Sequence, residues 1–178
     1  MNIGIDVDSV LADLWAIAGP MMPMPIAKDE VVSWEYPCER LGISKSHFLW
    51  LLDYAWRQWE SMPLQDDPAV LAEMRKLGHQ VTIITRRIYG TTAPPRIAAW
   101  LHAHRIVYDN LVFVVGAQSK FAWIDCLVDD NPGLVAACTA DTAQVLYLYN
   151  QPWNRWCPIT TSNVKRVGCL QEVLDDLR

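Results

Sequence analysis

Two carboxylates close the first apolar run of the chain, in Ile3-Gly-Ile-Asp6-Val-Asp8-Ser-Val-Leu. On a strand, side chains at i and i+2 point to one face, so Asp6 and Asp8 can reach a single substrate. Like charges that close are costly unless one stays protonated or a cation sits between them. A hard divalent ion such as Mg²⁺ resolves the conflict, because it takes oxygen ligands and usually keeps several waters. The same pattern also suits a solvated pair on a loop, so the rest of the chain bears on the choice.

The elements that position these groups follow from periodicity. Asn2 to Val7 reads as a buried strand opening onto a site, and Val81 to Thr85, Leu111 to Val115, Cys126 to Asp129 and Gln144 to Leu148 repeat the pattern. Asp67-Pro68, then Val70, Leu71, Met74 and Leu77, then Gly78, predicts a helix with a start signal and a glycine stop. Ile97, Trp100 and Leu101 give a second helical face, Pro132 opens a third helix, and Leu170 to Leu177 forms a fourth. Strands alternating with helices predict an α/β fold with a mostly parallel, Rossmann-like sheet flanked by helices. In such sheets ligands bind beyond the carboxyl ends of the strands. Three of those ends carry Asp6/Asp8, Thr85 and Asp129/Asp130.

Residues 13–65 break the alternation. A Pro/Met-rich stretch from Gly19 leads into a helix starting near Ser44 or Ser46, with Phe48, Leu51, Leu52, Ala55, Trp56 and Trp59 at helical spacing. This segment reads as a small helical cap, inserted after the first strand of a core formed by residues 1–12 and 66–178.

With Asp6-x-Asp8, Thr85 after Val-Thr-Ile-Ile, Lys120, and Leu-Val-Asp129-Asp130 in order, the chain resembles the haloacid dehalogenase superfamily of phosphohydrolases. More narrowly it resembles the 5′(3′)-deoxyribonucleotidase family, in its bacterial and phage-like branch. The narrower likeness rests on Asp6-Val-Asp8-Ser9-Val10-Leu11-Ala12-Asp13, the short cap after it, and the Tyr149-Asn150-Gln151-Pro152-Trp153-Asn154 loop.

The resemblance implies roles residue by residue. Asp6 would attack phosphorus and form an aspartyl-phosphate. Asp8 would protonate the leaving oxygen and then deprotonate the hydrolytic water. Mg²⁺ would be held by the Asp6 carboxylate, the Asp8 backbone carbonyl and Asp129, with Asp130 orienting the outer shell. Thr85 and Lys120 would hold the phosphate, with Arg86 beside them. Two positions depart from the commonest family pattern. Ser9 stands in place of glycine, and Arg86-Arg87 replaces Ser-Pro, which leaves open how phosphate or sugar is gripped. For the substrate pocket the candidates are Leu14, where the family commonly has an aromatic, with Trp15, Trp34, Trp59 and Arg87. Phe48, Trp56 and Trp59 at helical spacing equally suit the packing of the cap.

Composition narrows the function classes. The chain has 178 residues, of which 52% are hydrophobic, enough for a real core. Its net charge of −5 disfavours a protein that neutralises many nucleic-acid phosphates, so no stable nucleic-acid partner is expected. Val10 to Ala27 is interrupted by Asp13, Gly19 and three prolines and cannot run as a membrane span. No Lys or Arg precedes residue 28, so a signal peptide is not expected. The five cysteines form no Cys-x-x-Cys pair, which suits reduced thiols in the cytoplasm. His102 and His104, at i and i+2 of a helix, diverge and do not suit a metal site.

The expected function is a Mg²⁺-dependent phosphomonoester hydrolase acting on a small phosphorylated substrate, a (deoxy)nucleoside monophosphate. The alternatives are a phosphatase for another small ester or a nucleic-acid 3′-phosphate, and a non-catalytic binding module on the same fold. Exposed cap tryptophans leave room for a homodimer.

Overall fold

The computed structural model describes residues 1–87, 92–138 and 143–178. Six strands form one parallel sheet: β1 (Asn2–Ile5), β2 (Gln80–Arg86), β3 (Asn110–Val114), β4 (Cys126–Asp129), β5 (Val145–Tyr149) and β6 (Val164–Val167). Their spatial order is β3-β2-β1-β4-β5-β6. The order reverses direction at β1, which therefore borders the crevice where such sheets bind ligands. Ile5 pairs with Ile83 on one side and Val128 on the other, so Asp6 leaves the sheet beside the ends of β2 and β4.

Burial on both faces explains why these strands are nearly continuous apolar runs. Ile3, Ile5, Val81, Ile83, Cys126 and Val128 face one cluster, and the alternate residues Ile84, Leu127, Leu146 and Leu148 face the other. Gly4 belongs to the second face. A methyl group there would lie 3.0 Å from Ile124 and 3.1 Å from both Ile84 and Leu127, so β1 must be bare at that point.

Between β1 and β2 run α1 (Leu14–Met21), α2 (Tyr36–Leu41), α3 (Lys45–Ala55) and α4 (Ala69–Lys76), with 3₁₀ turns at Lys28–Glu30 and Trp56–Ser61. Helices α5 (Ala93–Ala103) and α6 (Leu170–Asp176) complete the α-helical set among the described residues. The Ser44 hydroxyl caps α3 by accepting from the His47 amide, as a serine before an apolar helix does. Asp67 likewise accepts from the Ala69 amide at the start of α4, and Gly78, at φ +86°, ends that turn in a conformation that favours glycine.

Two expectations need correction, and one strand is additional. The helix at Pro132 is a 3₁₀ segment, Pro132–Ala137, fixed by the Asn131 side chain accepting from the Gly133 amide. Trp59 does not continue α3: the helix stops at Ala55, and Gln58 is non-helical in the 3₁₀ turn that follows. Strand β6 was not expected, because Val-Lys-Arg-Val is short and half charged, as an edge strand is. No described helix is long and apolar enough to cross a membrane.

Trp56 and Trp100, both fully buried, join the 3₁₀ turn to α5 through an edge-on contact at 5.9 Å between ring centres. Burying a ring of that size contributes roughly 4–6 kcal/mol of gross transfer free energy. The helices that follow β1 therefore share one continuous core with the sheet.

Candidate active site

Three strand ends and one 3₁₀ segment deliver charged groups to a single cavity. Asp6 follows β1 directly. Its Oδ1 accepts from the Val7 amide at 2.8 Å and its Oδ2 lies 2.9 Å from Lys120 Nζ. Lys120, buried in the 3₁₀ segment Ala117–Trp123, also reaches Asp129 Oδ2 at 2.6 Å. Asp129 is the last residue of β4, and its Oδ1 accepts from the Asn131 amide. One ammonium is thus shared by two buried carboxylates.

Burial dominates the electrostatics here. Desolvation pushes the Asp6 carboxyl up to about 7, opposed by the Lys120 charge and assisted by repulsion from Asp129 and Asp8. Asp130 is raised well above the usual carboxylate range, first by burial and then by Asp129 and Asp6. Burial alone would lower Lys120, but the charges of Asp129 and Asp6 outweigh it and hold the ammonium above its ordinary value.

Asp6, Asp129 and Asp130 each offer a carboxylate oxygen, and these oxygens all lie within 4.8 Å of one another. Three hard oxygens converging in a buried, acid-rich pocket fit a small divalent cation. Asp130, expected only to orient outer ligands, therefore stands with the cluster itself. Its Oδ2 accepts from Trp153 Nε1 at 2.9 Å and its carbonyl from Asn154 Nδ2 at 2.8 Å. Asn154 is held in turn by Arg166 of β6, whose Nη2 donates to the carbonyls of Asn154 and Cys157. The unexpected strand thus fixes the loop that fixes the acid cluster.

The Asp8 carboxylate is not among those three converging oxygens. Arg87 Nη1 reaches its Oδ2 at 2.7 Å, Nη2 reaches its Oδ1 at 3.0 Å, and Trp56 Nε1 donates to Oδ1 at 3.0 Å. Ser9, next in sequence, has φ 62°, the left-handed region that favours glycine. That explains why glycine suits this position, and the Ser9 carbonyl is anchored by Gln151 Nε2 at 2.6 Å.

Thr85, at the end of β2, is 1% exposed and its hydroxyl finds no partner in the protein. Leaving such a hydroxyl unpaired costs about 1–3 kcal/mol, so the position suits an external acceptor. Arg86 lines the cavity too, with Nε bonded to the Val115 carbonyl at 3.0 Å.

Apolar and aromatic side chains complete the cavity lining, among them Leu14, Trp15, Trp34, Phe48 and Trp153. Trp15 stands 6.3 Å from Phe48 and 5.9 Å from Trp153, and Trp34 stands 6.3 Å from Trp153, as ring-centre distances. Of the pocket candidates, Leu14, Trp15, Trp34 and Arg87 line the cavity and Trp59 does not. Trp59 packs at the edge of the core, because the turn after α3 carries it away from the cavity. Sequence reasoning missed Trp56 and Trp153 as partners of Asp8 and Asp130. Trp153 sits within a loop that the sequence singles out, whereas nothing in the sequence connects Trp56 to Asp8.

No protein-family model and no curated protein matches the sequence. Solved structures do match over nearly the whole chain. The D,D-heptose 1,7-bisphosphate phosphatase of B. bronchiseptica, complexed with magnesium and phosphate, is 12% identical, covering 99% of this chain and 97% of its own, with a TM-score of 0.55. A protein described as a haloacid dehalogenase-like hydrolase, from Burkholderia xenovorans, is 15% identical over 98% and 94%, with a TM-score of 0.56. A haloacid dehalogenase-like family hydrolase from Xanthomonas campestris is 10% identical over 100% and 94%, with a TM-score of 0.55. With its parallel sheet, strand order and acid-bearing strand ends, the chain has the fold of the haloacid dehalogenase-like hydrolases.

Proposed function

We propose that the chain is a Mg²⁺-dependent phosphomonoester hydrolase that dephosphorylates nucleoside monophosphates, deoxyribonucleotides among them, in the cytoplasm. The observation that carries this reading is the meeting of Asp6, Lys120 and the unpartnered Thr85 hydroxyl in one cavity that aromatic rings also line. The charged end suits a phosphate, and Trp15, Trp34 and Phe48 suit a flat base, since aromatic rings stack on any nucleobase. The phosphatase of the same fold that is complexed with magnesium and phosphate supports the charged half of the reading.

Asp6 attacks phosphorus as the ester P–O bond breaks, giving an aspartyl-phosphate, and Asp8 delivers its proton to the departing oxygen. A water then attacks the aspartyl-phosphate and yields its proton to Asp8, which releases inorganic phosphate and restores both carboxyl groups. The Thr85 hydroxyl donates to a phosphate oxygen, and Lys120 neutralises the phosphate and the nucleophile together. Asp6, Asp129 and Asp130 would hold Mg²⁺, which would supply Lewis acidity and screen Asp6 from the dianionic substrate.

The test is phosphate release across 5′- and 3′-mononucleotides, ribo and deoxy, beside sugar phosphates and a 3′-phosphorylated oligonucleotide. Asp6→Asn and a chelator serve as controls. Selective turnover of mononucleotides, lost in both controls, is the expected result. Preference for the sugar phosphates or the oligonucleotide would overturn the nucleotide assignment, and no turnover on any ester would overturn the hydrolase reading.

A further inference from the structure

Arg87 lines the cavity but its guanidinium is already committed. It is 8% exposed, grips both oxygens of Asp8, donates from Nη1 to the Arg86 carbonyl at 2.6 Å, and lies 5.7 Å over the Trp56 ring. Its Nε is buried without a partner, so the fork reaches Asp8 at the cost of an unsatisfied donor. A bidentate guanidinium–carboxylate pair fixes orientation as well as position, which a single ammonium contact does not. Trp56 adds a third donor and is itself locked against Trp100 of α5.

A carboxylate has about four lone-pair sites. Here three are taken, two on Oδ1 by Arg87 and Trp56 and one on Oδ2 by Arg87. The remaining site is on Oδ2. A proton placed there leaves all three donors in position, so Asp8 can carry or accept it without breaking the clamp.

We propose that Arg87 is the positioning residue for Asp8, holding one lone pair of Oδ2 for proton transfer, and is not a phosphate ligand. The inference rests on the hydrolase reading above for the purpose it gives Asp8. Protonation of the departing oxygen matters most when the leaving group is a poor one, such as an alkoxide, and least for a stable phenolate. Misplacing Asp8 should therefore penalise alkyl esters selectively, whereas removing a phosphate ligand should penalise every ester equally.

The experiment compares Arg87→Lys and Trp56→Phe with the unaltered protein on a deoxynucleoside monophosphate and on 4-nitrophenyl phosphate. The readout is kcat/KM, which reports only the steps through breakage of the ester bond, with inhibition by inorganic phosphate measured alongside. The expected result is a loss for Arg87→Lys at least about tenfold larger on the nucleotide than on the aryl ester, with phosphate inhibition changed less than about threefold. Equal losses on the two esters, or phosphate binding weakened by about tenfold or more, overturn the proposal.

A second measurement needs no turnover. Urea midpoints of Arg87→Met, Asp8→Asn and the double variant form a cycle, in which the double variant should lose less than the sum of the single losses. Strict additivity overturns the pair. Absence of turnover by the unaltered protein on both of these esters and on every ester of the wider panel overturns the hydrolase reading instead, and the cycle then judges the clamp alone.

Discussion

Lys120→Met removes the ammonium that two buried carboxylates share while keeping most of the side-chain volume. The contacts of 2.9 Å to Asp6 and 2.6 Å to Asp129 are each worth roughly 6 kcal/mol of gross attraction at an effective dielectric of about 20. Desolvation of the three ions consumes most of that sum, and breaking a buried pair by deleting one partner costs about 3–5 kcal/mol net. In a domain of this size each kcal/mol moves the midpoint by about 2–4 °C, so the melting temperature should fall by about 6–20 °C. The assay is thermal unfolding followed by circular dichroism in a chelating buffer, at about pH 5.5 and about pH 8. The sign of the pH effect follows from Asp6. Its carboxyl is already raised to about 7 by burial against the Lys120 charge, and deleting that charge raises it further. An acid whose folded pKa lies above its unfolded one gives stability that is full at low pH and lost as pH rises through the folded value. The deficit of Lys120→Met should therefore be larger at about pH 8 than at about pH 5.5, and added Mg²⁺ should narrow it. A variant that melts within about 2 °C of the unaltered protein at about pH 8 would refute Lys120 as the counter-charge of this cluster.

Asp6→Asn should lower turnover by at least about 10³-fold and abolish the acid-stable phosphoenzyme trapped from a labelled substrate, because the amide does not attack phosphorus. Thermal stabilisation by Mg²⁺ should grow between about pH 6 and about pH 8, since protons compete for Asp6 below its folded value of about 7; a flat response would contradict the acid cluster as the binding site. Gly19→Ala would put a methyl group 2.5 Å from the Ile26 carbonyl oxygen and 2.7 Å from Trp15 Nε1, where those two atoms are now bonded at 2.9 Å. It should cost about 1–3 kcal/mol in urea unfolding and weaken substrate binding at the Trp15 wall. Ser9→Gly should be neutral or stabilising by up to about 1 kcal/mol, because it relieves a left-handed residue at little cost in contacts; clear destabilisation would show that the serine side chain is needed.

The sequence by itself determined the parallel α/β class and the strands that carry Asp6, Thr85 and Asp129. A strand buried on both faces has to be a near-continuous apolar run, and the polar residue that ends it marks where the site begins. It also narrowed the start of α3 to Ser44 or Ser46, of which the structure uses Ser44, and placed the turn after α4 at Gly78, since caps and left-handed turns are set by one or two residues. Tertiary structure decided the rest. Val164–Val167 becomes a strand only because β5 offers it an edge, since four residues with two charges carry no strand signal of their own. Trp56 and Trp59 have equivalent sequence spacing, yet the chain's departure from helical geometry at Gln58 separates them. Trp56 is sent to Asp8 and Trp59 to the rim of the core. The partners of the acids were equally out of reach. Arg87 meets Asp8 across 79 residues and Trp153 meets Asp130 across 23, contacts fixed by how β1, β2, β4 and the loop after β5 lie side by side. Local residue types announce that a chemistry is present, but which oxygen each donor occupies is settled only when distant strand ends are packed against one another.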